Sequence, residues 1–565
     1  MNSKWQVSEI DENMIDFIMK KYNLNRLLAT ILVNRNIIKD EELNVFLNPT
    51  RKDFHDPFLI TDMEKSVDRI IEAINKNENI TIYGDYDVDG ITSSTVLKSF
   101  FKDRGLDVSV YIPNRITEGY GLNNKAIDKI KETGCELMIT VDCGISGIEE
   151  VNYANSKGIT TIITDHHEVG EVLPNAYSVI DNKRKDSKYP FRELAGVGVV
   201  FKLIQAIGMK IGLKEEEYLK YLDIVCVGTI SDIVPLVDEN RVIAKLGLML
   251  IRQTKNIGLR AILNLVGYQN IDSNTISFGI APRINACGRM GKADEALKLL
   301  LSTDEKEVEE LALEMNRLNK VRQDTEKNIY DNAISQIEKN NLNNDNAIIV
   351  VGENWHHGVI GIVSSKITEK YFKPSILLSY EDEKNIAKGS GRSIPGFDLY
   401  EGLAKCSNSI YKYGGHSMAI GISVEIDKIK QFKKDFMEIA KEAHTELLVP
   451  VINVDSKVSL VNINKEIVES LKILEPFGEA NKTPIFIFKN LKIDSIRALS
   501  EGRHIKMTLK EENNIVNAIG FNKGNLVNEY KLGDKVDVAG VLEINTFGGV
   551  ENIQINICGI MKSIV

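Results

Sequence analysis

The sequence predicts an α/β protein of several domains that ends in a small β-barrel, and three observations carry that prediction. Strand-like apolar runs alternate with helical periodicity between residues 79 and 165. Residues 303–340 contain no Gly or Pro and are dense in helix formers. Beyond Pro450 the pattern changes to short strands with Gly and Asn turns. At ~100–200 residues per domain, 565 residues have room for three or four cores. The expected layout is a helical segment over 1–50, a parallel-sheet domain over 51–302, a linking helix over 303–340, a second α/β unit over 341–449 and the barrel over 450–565.

Taken in order, residues 79–83 (NITIY) read as a strand, followed by the acidic loop GDYDVDG and a helix from Ile91 to about Arg104. Further strands fit 107–112, ELMIT at 136–140 and TTIIT at 160–164, with a helix over 146–157 between the last two. Strands separated by helices of this length form a parallel sheet, whose ligands sit outside the carboxyl ends of the strands. The polar clusters after 83, 141 and 164 all fall there. AIIVVG (347–352), a helix after His356-His357-Gly358 and PSILLS (374–379) begin the second unit. PIFIF, HIKMTL, VNAIGF and KVDVAGVLEI supply the barrel.

Composition excludes several classes. With 43% hydrophobic and 27% charged residues the chain is neither fibrous nor largely disordered. No apolar run approaches the ~18–20 residues that cross a bilayer, and the first 21 residues lack the apolar stretch of a secretory signal. The six cysteines (135, 143, 226, 287, 406 and 558) are scattered without a CxxC pair. That argues against a zinc ribbon or a disulfide framework. A cytoplasmic protein without membrane contact is expected. The net charge of -10 argues against nucleic acid at first sight, but a global sum cannot see a basic groove, and a carboxylate-rich metal site adds negative charge of its own.

Asp85, Asp87 and Asp89 stand at alternate positions in GDYDVDG with Gly on both sides. Carboxylates so crowded repel one another unless cations neutralise them; a calcium-type loop or a solvated turn is the plainer alternative. Asp142, in TVDCG, is a second strand-end carboxylate that a helix N-cap would also explain. Asp165-His166-His167 directly follows an apolar strand, and imidazole with carboxylate suits Mn²⁺, Fe²⁺, Co²⁺ or Zn²⁺ better than Ca²⁺. Asp232, in VGTISDIVPL, is a lone carboxylate in an apolar segment, open to a capping role. Together they offer a mixed carboxylate–imidazole site for two metals sharing an Asp, the pattern of phosphoester hydrolysis. Neither GxxxxGK[ST] nor HExxH occurs.

GDYDVDG, TVDCG, TDHH and GGHSMAIG, in that order, resemble the DHH phosphoesterase superfamily. IPNRITEGYGL, LAGVGVVFKL, GTISDIVPL, APRINACGRM, WHHGVIGIVSSK, GSGRSIPGFDL and EPFGEAN resemble its RecJ family of single-strand-specific 5′→3′ DNA exonucleases, in family order over nearly the whole chain. The resemblance implies a DHH catalytic domain, a DHH-associated domain and an OB-fold barrel. It implies two divalent ions, Mn²⁺ or Mg²⁺, ligated by Asp85, Asp87, Asp89, Asp142, His166 and Asp232, with Asp142 as the bridge and His167 beside the scissile phosphate or the second metal. Arg115, Ser390 and Arg392 would hold the 5′-terminal phosphate, and Arg283, Asn285 and Arg289 would contact phosphate or backbone; for each arginine a structural salt bridge is the alternative. His416 would face the cleft and bind the strand, although alone it reads as one histidine in a Gly-rich turn. His356 would cap its helix or touch substrate.

The barrel holds 14 Lys+Arg and 14 Asp+Glu, so a basic track there must come from placement. Phe477, Phe521 and Phe547 are candidate stacking residues, with core packing as the alternative. EPFGEANKTPIF departs from the family's usual Gly-Asn-Pro wording at Ala480 and Lys482. The expected activity is hydrolysis of single-stranded DNA from its 5′ end, releasing 5′-mononucleotides in repair and recombination. Single-strand-binding protein and a helicase are the partners the resemblance implies, and a monomer the state. Two rivals stand beside it. One is a DHH phosphodiesterase for short oligonucleotides or cyclic dinucleotides, or a pyrophosphatase; the barrel and GSGRS speak for long polymer. The other is a non-catalytic replication scaffold of DHH ancestry, whose mark would be lost carboxylates; every expected ligand is present.

Overall fold

The structure, a computed structural model, describes residues 4–7, 11–268, 270–381, 385–442 and 449–563. The chain divides into two compact units, one of residues 50–448 and one that joins residues 1–49 to 449–565.

The chain opens with strand β1 (Lys4–Val7) and three helices, Glu12–Tyr22, Arg26–Asn34 and Asp40–Leu47. The first sheet follows: β2 (Ile80–Tyr83), β3 (Ser109–Tyr111), β4 (Leu137–Val141), β5 (Thr160–Asp165) and β6 (Ser178–Asp181), all parallel, in the order β3-β2-β4-β5-β6. The strand order reverses between β2 and β4, which opens a crevice at their carboxyl ends. Asp85 follows one of these strands and Asp142 the other. Strands β2, β4 and β6 are buried at every position, as a sheet covered by helices on both faces requires.

The long helix Glu305–Lys339 has 35 residues, about 52 Å at the ~1.5 Å rise of an α-helix. Its first half, through Val308, Ala312, Met315 and Leu318, belongs to the core of the first module. Its second half, through Ile329, Ala333 and Ile337, packs with the second module. That module is a sheet of β7 (Ile348–Glu353), β8 (Ser375–Tyr380), β9 (Ile386–Arg392), β10 (Lys412–His416) and β11 (Ala419–Glu425), ordered β10-β11-β9-β8-β7. Only β7 and β8 run parallel.

In the other unit, β12 (Val451–Val454) pairs in parallel with β1. β13 (Ser456–Lys457), β14 (Phe486–Leu499), β15 (His504–Glu511), β16 (Asn514–Gly520), β17 (Lys535–Phe547) and β18 (Val550–Lys562) form one sheet that closes on itself through a β14–β17 pairing. Ile15, Leu28, Leu32 and Phe46 of the N-terminal helices share one core with Leu474, Phe488 and Met507 of the barrel unit. Arg35, largely buried, ties the two stretches together: it pairs with Asp455 at 3.2 Å and donates to Asn481 Oδ1 and to the Lys482 carbonyl. Among the described residues no helix is long and apolar enough to cross a membrane.

Ala480, where the sequence departs from the family wording, has φ 56°, in the left-handed region that a β-carbon disfavours. Ala480→Gly is therefore expected to stabilise the barrel unit by about 1 kcal/mol, read as a higher denaturant midpoint at unchanged m-value.

Candidate metal centre and phosphate pocket

The acidic loop after β2 turns directly into the helix Val88–Lys102, with Asp87 as N-cap accepting from Gly90 N–H at 3.0 Å. The loop therefore belongs to a helix N-terminus, where negative charge is favoured. Asp89, in the first turn, receives the N–H groups of Gly196 (2.6 Å) and Val197 (2.8 Å), the start of the helix Gly196–Lys210. A β-carbon at Gly196 would lie 2.7 Å from the Asp142 carboxylate, so only glycine lets this helix approach both acids. Asp142 itself has φ 59°, a strained backbone that aims its side chain back over the sheet edge. Asp232 follows the last residue of the helix Leu222–Ser231. A carboxylate at a helix C-terminus is opposed by the dipole, so capping does not account for it.

These residues converge. His166 Nε2 lies 3.1 Å from Asp142 Oδ1, 3.7 Å from Asp232 Oδ2 and 3.8 Å from Asp89 Oδ2. One group of donors within 4.8 Å of each other is Asp89, His166 and Asp232; another is Asp85, Asp87 and Asp142; a third joins Asp142 to His166 and His167. Asp142 thus belongs with both the carboxylate set and the histidine set. His166 Nε2 and Asp85 Oδ1 are buried and have no hydrogen-bond partner, a costly state that a bound cation would relieve.

Electrostatics point the same way. Burial, then the charge of Asp87, raises the Asp89 carboxyl to about 7. Burial, then Asp89 and Asp87, raises Asp232 to about 9. Asp85 and Asp142 are driven well above the carboxylate range by the same causes. Burial, then its neighbour His167, lowers His166 to about 3, leaving a neutral imidazole suited to metal ligation.

Asp165 and Tyr120 are the functional residues that sequence reasoning missed. Asp165 is fully buried and accepts from Ile145 N–H (2.9 Å), His166 N–H (2.8 Å) and His167 Nδ1 (2.6 Å). It therefore orients the imidazole of His167 in the way second ligand shells do. Burial would push His167 down, but the hydrogen bond and charge of Asp165 hold it up at about 9. The Tyr120 hydroxyl stands 3.3 Å from His167 Nε2. The sequence signal for Asp165 was its place as the last residue of a buried strand, with its partner two positions on.

Tyr86, in the acidic loop, forms the border with a cationic pocket. The Arg115 guanidinium lies 4.9 Å from the centre of its ring. Arg289 donates to the Gly358 carbonyl at 2.9 Å, joining the helix Ala281–Arg289 to the start of the helix His357–Tyr371. Burial, then the charges of Arg115, Arg322 and Arg392, lowers Arg289 to about 10. Ser390 and Arg392 share one face of β9, with Arg392 donating to Ser390 Oγ at 2.9 Å. Burial and then Arg115 lower Arg392. Buried guanidinium groups placed within reach of one another's charge suit an anion. Arg322, on the long helix, adds its charge to Arg289's surroundings but pairs with Glu326 and donates to Asn319 Oδ1 at 2.7 Å.

Other predicted positions lie differently. Arg283 spends its guanidinium on the Gly279 carbonyl (2.7 Å) and Asn316 (3.1 Å), and Asn285 is half-buried on the same helix. His416 is exposed at the β10–β11 turn, accepts weakly from Met418 N–H at 3.4 Å and makes no contact with the acidic cluster among the described residues. His356 caps its helix through Gly358 N–H at 3.1 Å. In the barrel Phe477 packs against the core, Phe521 is half exposed in an edge-to-face pair with His504 at 5.4 Å, and the side chain of Phe547 lies outside the described residues.

Comparison with known proteins decides the family. Residues 79–229 match the DHH family N-terminal domain, 344–442 the DHHA1 domain and 454–559 the RecJ OB domain. The single-stranded-DNA-specific exonuclease RecJ of Bacillus subtilis is 38% identical over 98% of this chain and 70% of its own length. The chain belongs to the RecJ family. RecJ of Escherichia coli is 31% identical over 88% of this chain and 89% of its own. The crystal structure of Thermus thermophilus RecJ with Mn²⁺ superposes with TM-score 0.86 at 28% identity, covering all of this chain and 80% of that one. A Mg²⁺ complex of the same RecJ aligns with TM-score 0.79 at 26% identity, covering all of this chain and 79% of that one. The donors gathered here fit such ions: the carboxylates suit Mg²⁺ or Mn²⁺, and the neutral imidazole favours Mn²⁺.

Two outcomes are expected. Asp165→Asn should weaken Mn²⁺ binding, measured by calorimetric titration, by about ten- to a hundredfold while the fold is kept. In EDTA, thermal stability should fall between pH 7 and 9. Asp89, Asp232 and His167 (about 7, 9 and 9) keep protons when folded that the unfolded chain has already released, so their stabilisation is lost as pH rises through those values. Mn²⁺ replaces the protons of Asp89 and Asp232, so the shift in melting temperature it produces should grow with pH.

Proposed function

We propose that this chain hydrolyses single-stranded DNA from the 5′ end, releasing 5′-mononucleotides, with two divalent ions held by Asp85, Asp87, Asp89, Asp142, His166 and Asp232 and with Asp142 shared between them. One observation carries the reading: a double acidic constellation lies against a pocket of Arg115, Arg289 and Arg392, with the ring of Tyr86 between them. Two divalent ions supply a water of lowered pKa and neutralise charge on the reacting phosphodiester. The arginines and Ser390 hold a terminal phosphate, which fixes which end of the strand enters and how far it advances. His167, kept cationic by Asp165, presents an N–H to a phosphate oxygen where negative charge builds up. Tyr120, half exposed and edge-on to Tyr86, offers this path an aromatic face that bases tolerate regardless of sequence.

The barrel matches the RecJ OB domain, and Phe521 with His504 offers an exposed aromatic pair for single-stranded DNA. Family membership also supports a role in repair and recombination in the cytoplasm, action as a monomer, and work beside single-strand-binding protein and a helicase.

The test uses a 3′-labelled single strand and its blunt duplex with Mn²⁺, Mg²⁺ or EDTA. Stepwise loss from the 5′ end, on single strand only and only with metal, is expected. Asp142→Ala should abolish turnover yet still bind the strand. Arg392→Ala should reduce the preference for a 5′-phosphate over a 5′-hydroxyl by about ten- to a hundredfold. Cleavage of pApA with the long strand left intact would instead establish the short-oligonucleotide reading.

A further inference from the structure

The helix that carries Arg289 begins in an unusual way. Thr275–Ile280 is wound as a π-helix, a wider turn that is rare and frequent at functional sites, and it continues straight into Ala281–Arg289. Phe278, within that turn, is 73% exposed, the most exposed of the large apolar side chains among the described residues. A single exposed phenylalanine is ordinary. Its position is not. Ile280, Ala281, Ile284, Ala286, Cys287 and Gly288 are all buried, whereas Phe278, Pro282, Asn285 and Arg289 are open to solvent at least in part. These four stand at i, i+4, i+7 and i+11, one stripe along one face.

Arg289, at the far end of the stripe, donates to the Gly358 carbonyl at 2.9 Å and feels the charges of Arg115 and Arg392. At the near end a second aromatic joins Phe278. Tyr268 is 55% exposed, and its ring edge is 3.3 Å from where a β-carbon on Gly279 would lie. Arg283 sits between, half-buried and held to the Gly279 carbonyl, and its charge couples to Tyr268. Eleven residues at ~1.5 Å separate Phe278 from Arg289 by about 16 Å. Phosphates of a strand are ~3.4 Å apart when stacked and farther when stretched, so this span covers roughly two to five nucleotides.

We propose that Phe278, with Tyr268 near the following Gly279, is a base-stacking platform for single-stranded DNA roughly two to five nucleotides to the 3′ side of the terminal-phosphate pocket. The proposal rests on the exonuclease reading and adds to it a determinant of strand grip outside the metal centre. A π-face accepts any base, so the platform holds the strand without reading it, and a rigid duplex cannot present an unstacked base to it.

The experiment uses the full chain in EDTA with a 5′-phosphorylated dT12 carrying 2-aminopurine at one of nucleotides 2 to 6. In the wild type, quenching should peak at one position between 2 and 5. Phe278→Ala and Phe278→Leu should lose that quenching and bind the strand about tenfold more weakly, while Phe278→Tyr should keep both. Quenching and affinity equal in wild type and Phe278→Ala would overturn the platform, and would leave Phe278 as a contact for another protein. Loss in Ala with retention in Leu would also overturn it, because apolar contact and not stacking would then be the cause. If the wild type neither binds nor digests the strand with Mn²⁺, the exonuclease reading fails and the platform with it; digestion without a Phe278-dependent signal removes the platform alone.

Discussion

Mutual repulsion among buried carboxylates is the constraint around which the first module is built. Asp85, Asp89 and Asp142 are almost wholly withdrawn from water and lie beside Asp87 and Asp232. No solvent shell separates their charges, so protons or cations must. Several features serve this arrangement. The helix starting at Gly196 turns its N–H groups on Asp89, and the glycine leaves Asp142 the space it needs. Strained backbone at Asp142 sets its carboxylate between two donor groups. Asp165 spends its own charge on His167 and three backbone N–H groups and so stays out of the competition for cations.

Opposite charges are kept apart with equal care. The arginine pocket and the acidic cluster would cancel if they met. Tyr86 stands between them, with Arg115 packed on its ring. Glycines at 288 and 358 let backbones approach closely here: a β-carbon would come within 2.2 Å of the Tyr86 carbonyl at the first and 2.5 Å of the Arg289 carbonyl at the second. The pocket is assembled from both modules, and one long helix has half its apolar face in each core. The distance from metal site to phosphate pocket is thus set by packing along one rigid rod.

What the sequence disclosed, and what it did not, follows from range. The parallel sheet, the long helix and the barrel depend on periodicity within a few residues, and each formed where its pattern lies. Asp85, Asp142 and His166 were legible because strand ends in such a sheet meet at one edge. The purpose of Asp165 was not: as one letter of a three-residue cluster it looks like its neighbours, and only its four hydrogen bonds separate a positioning group from a ligand. Tyr120 was hidden because its partner, His167, lies 47 residues away in the chain. Arg283 and Arg289 read alike in APRINACGR, but six residues along a helix turn them to different partners. The union of the first helices with the barrel has no local signature at all.

That union gives the chain an order of events. A ribosome releases residues 4–47 early, but their partners β12 to β18 emerge only after about 400 further residues. At synthesis rates of about 5–20 residues per second, those apolar helix faces wait roughly 20–80 s. The catalytic unit, whose contacts all lie within the intervening stretch, can finish folding in that interval. Joining the early helices to the barrel then follows the folding of the catalytic unit, and those helices are the segment a chaperone would have most time to meet.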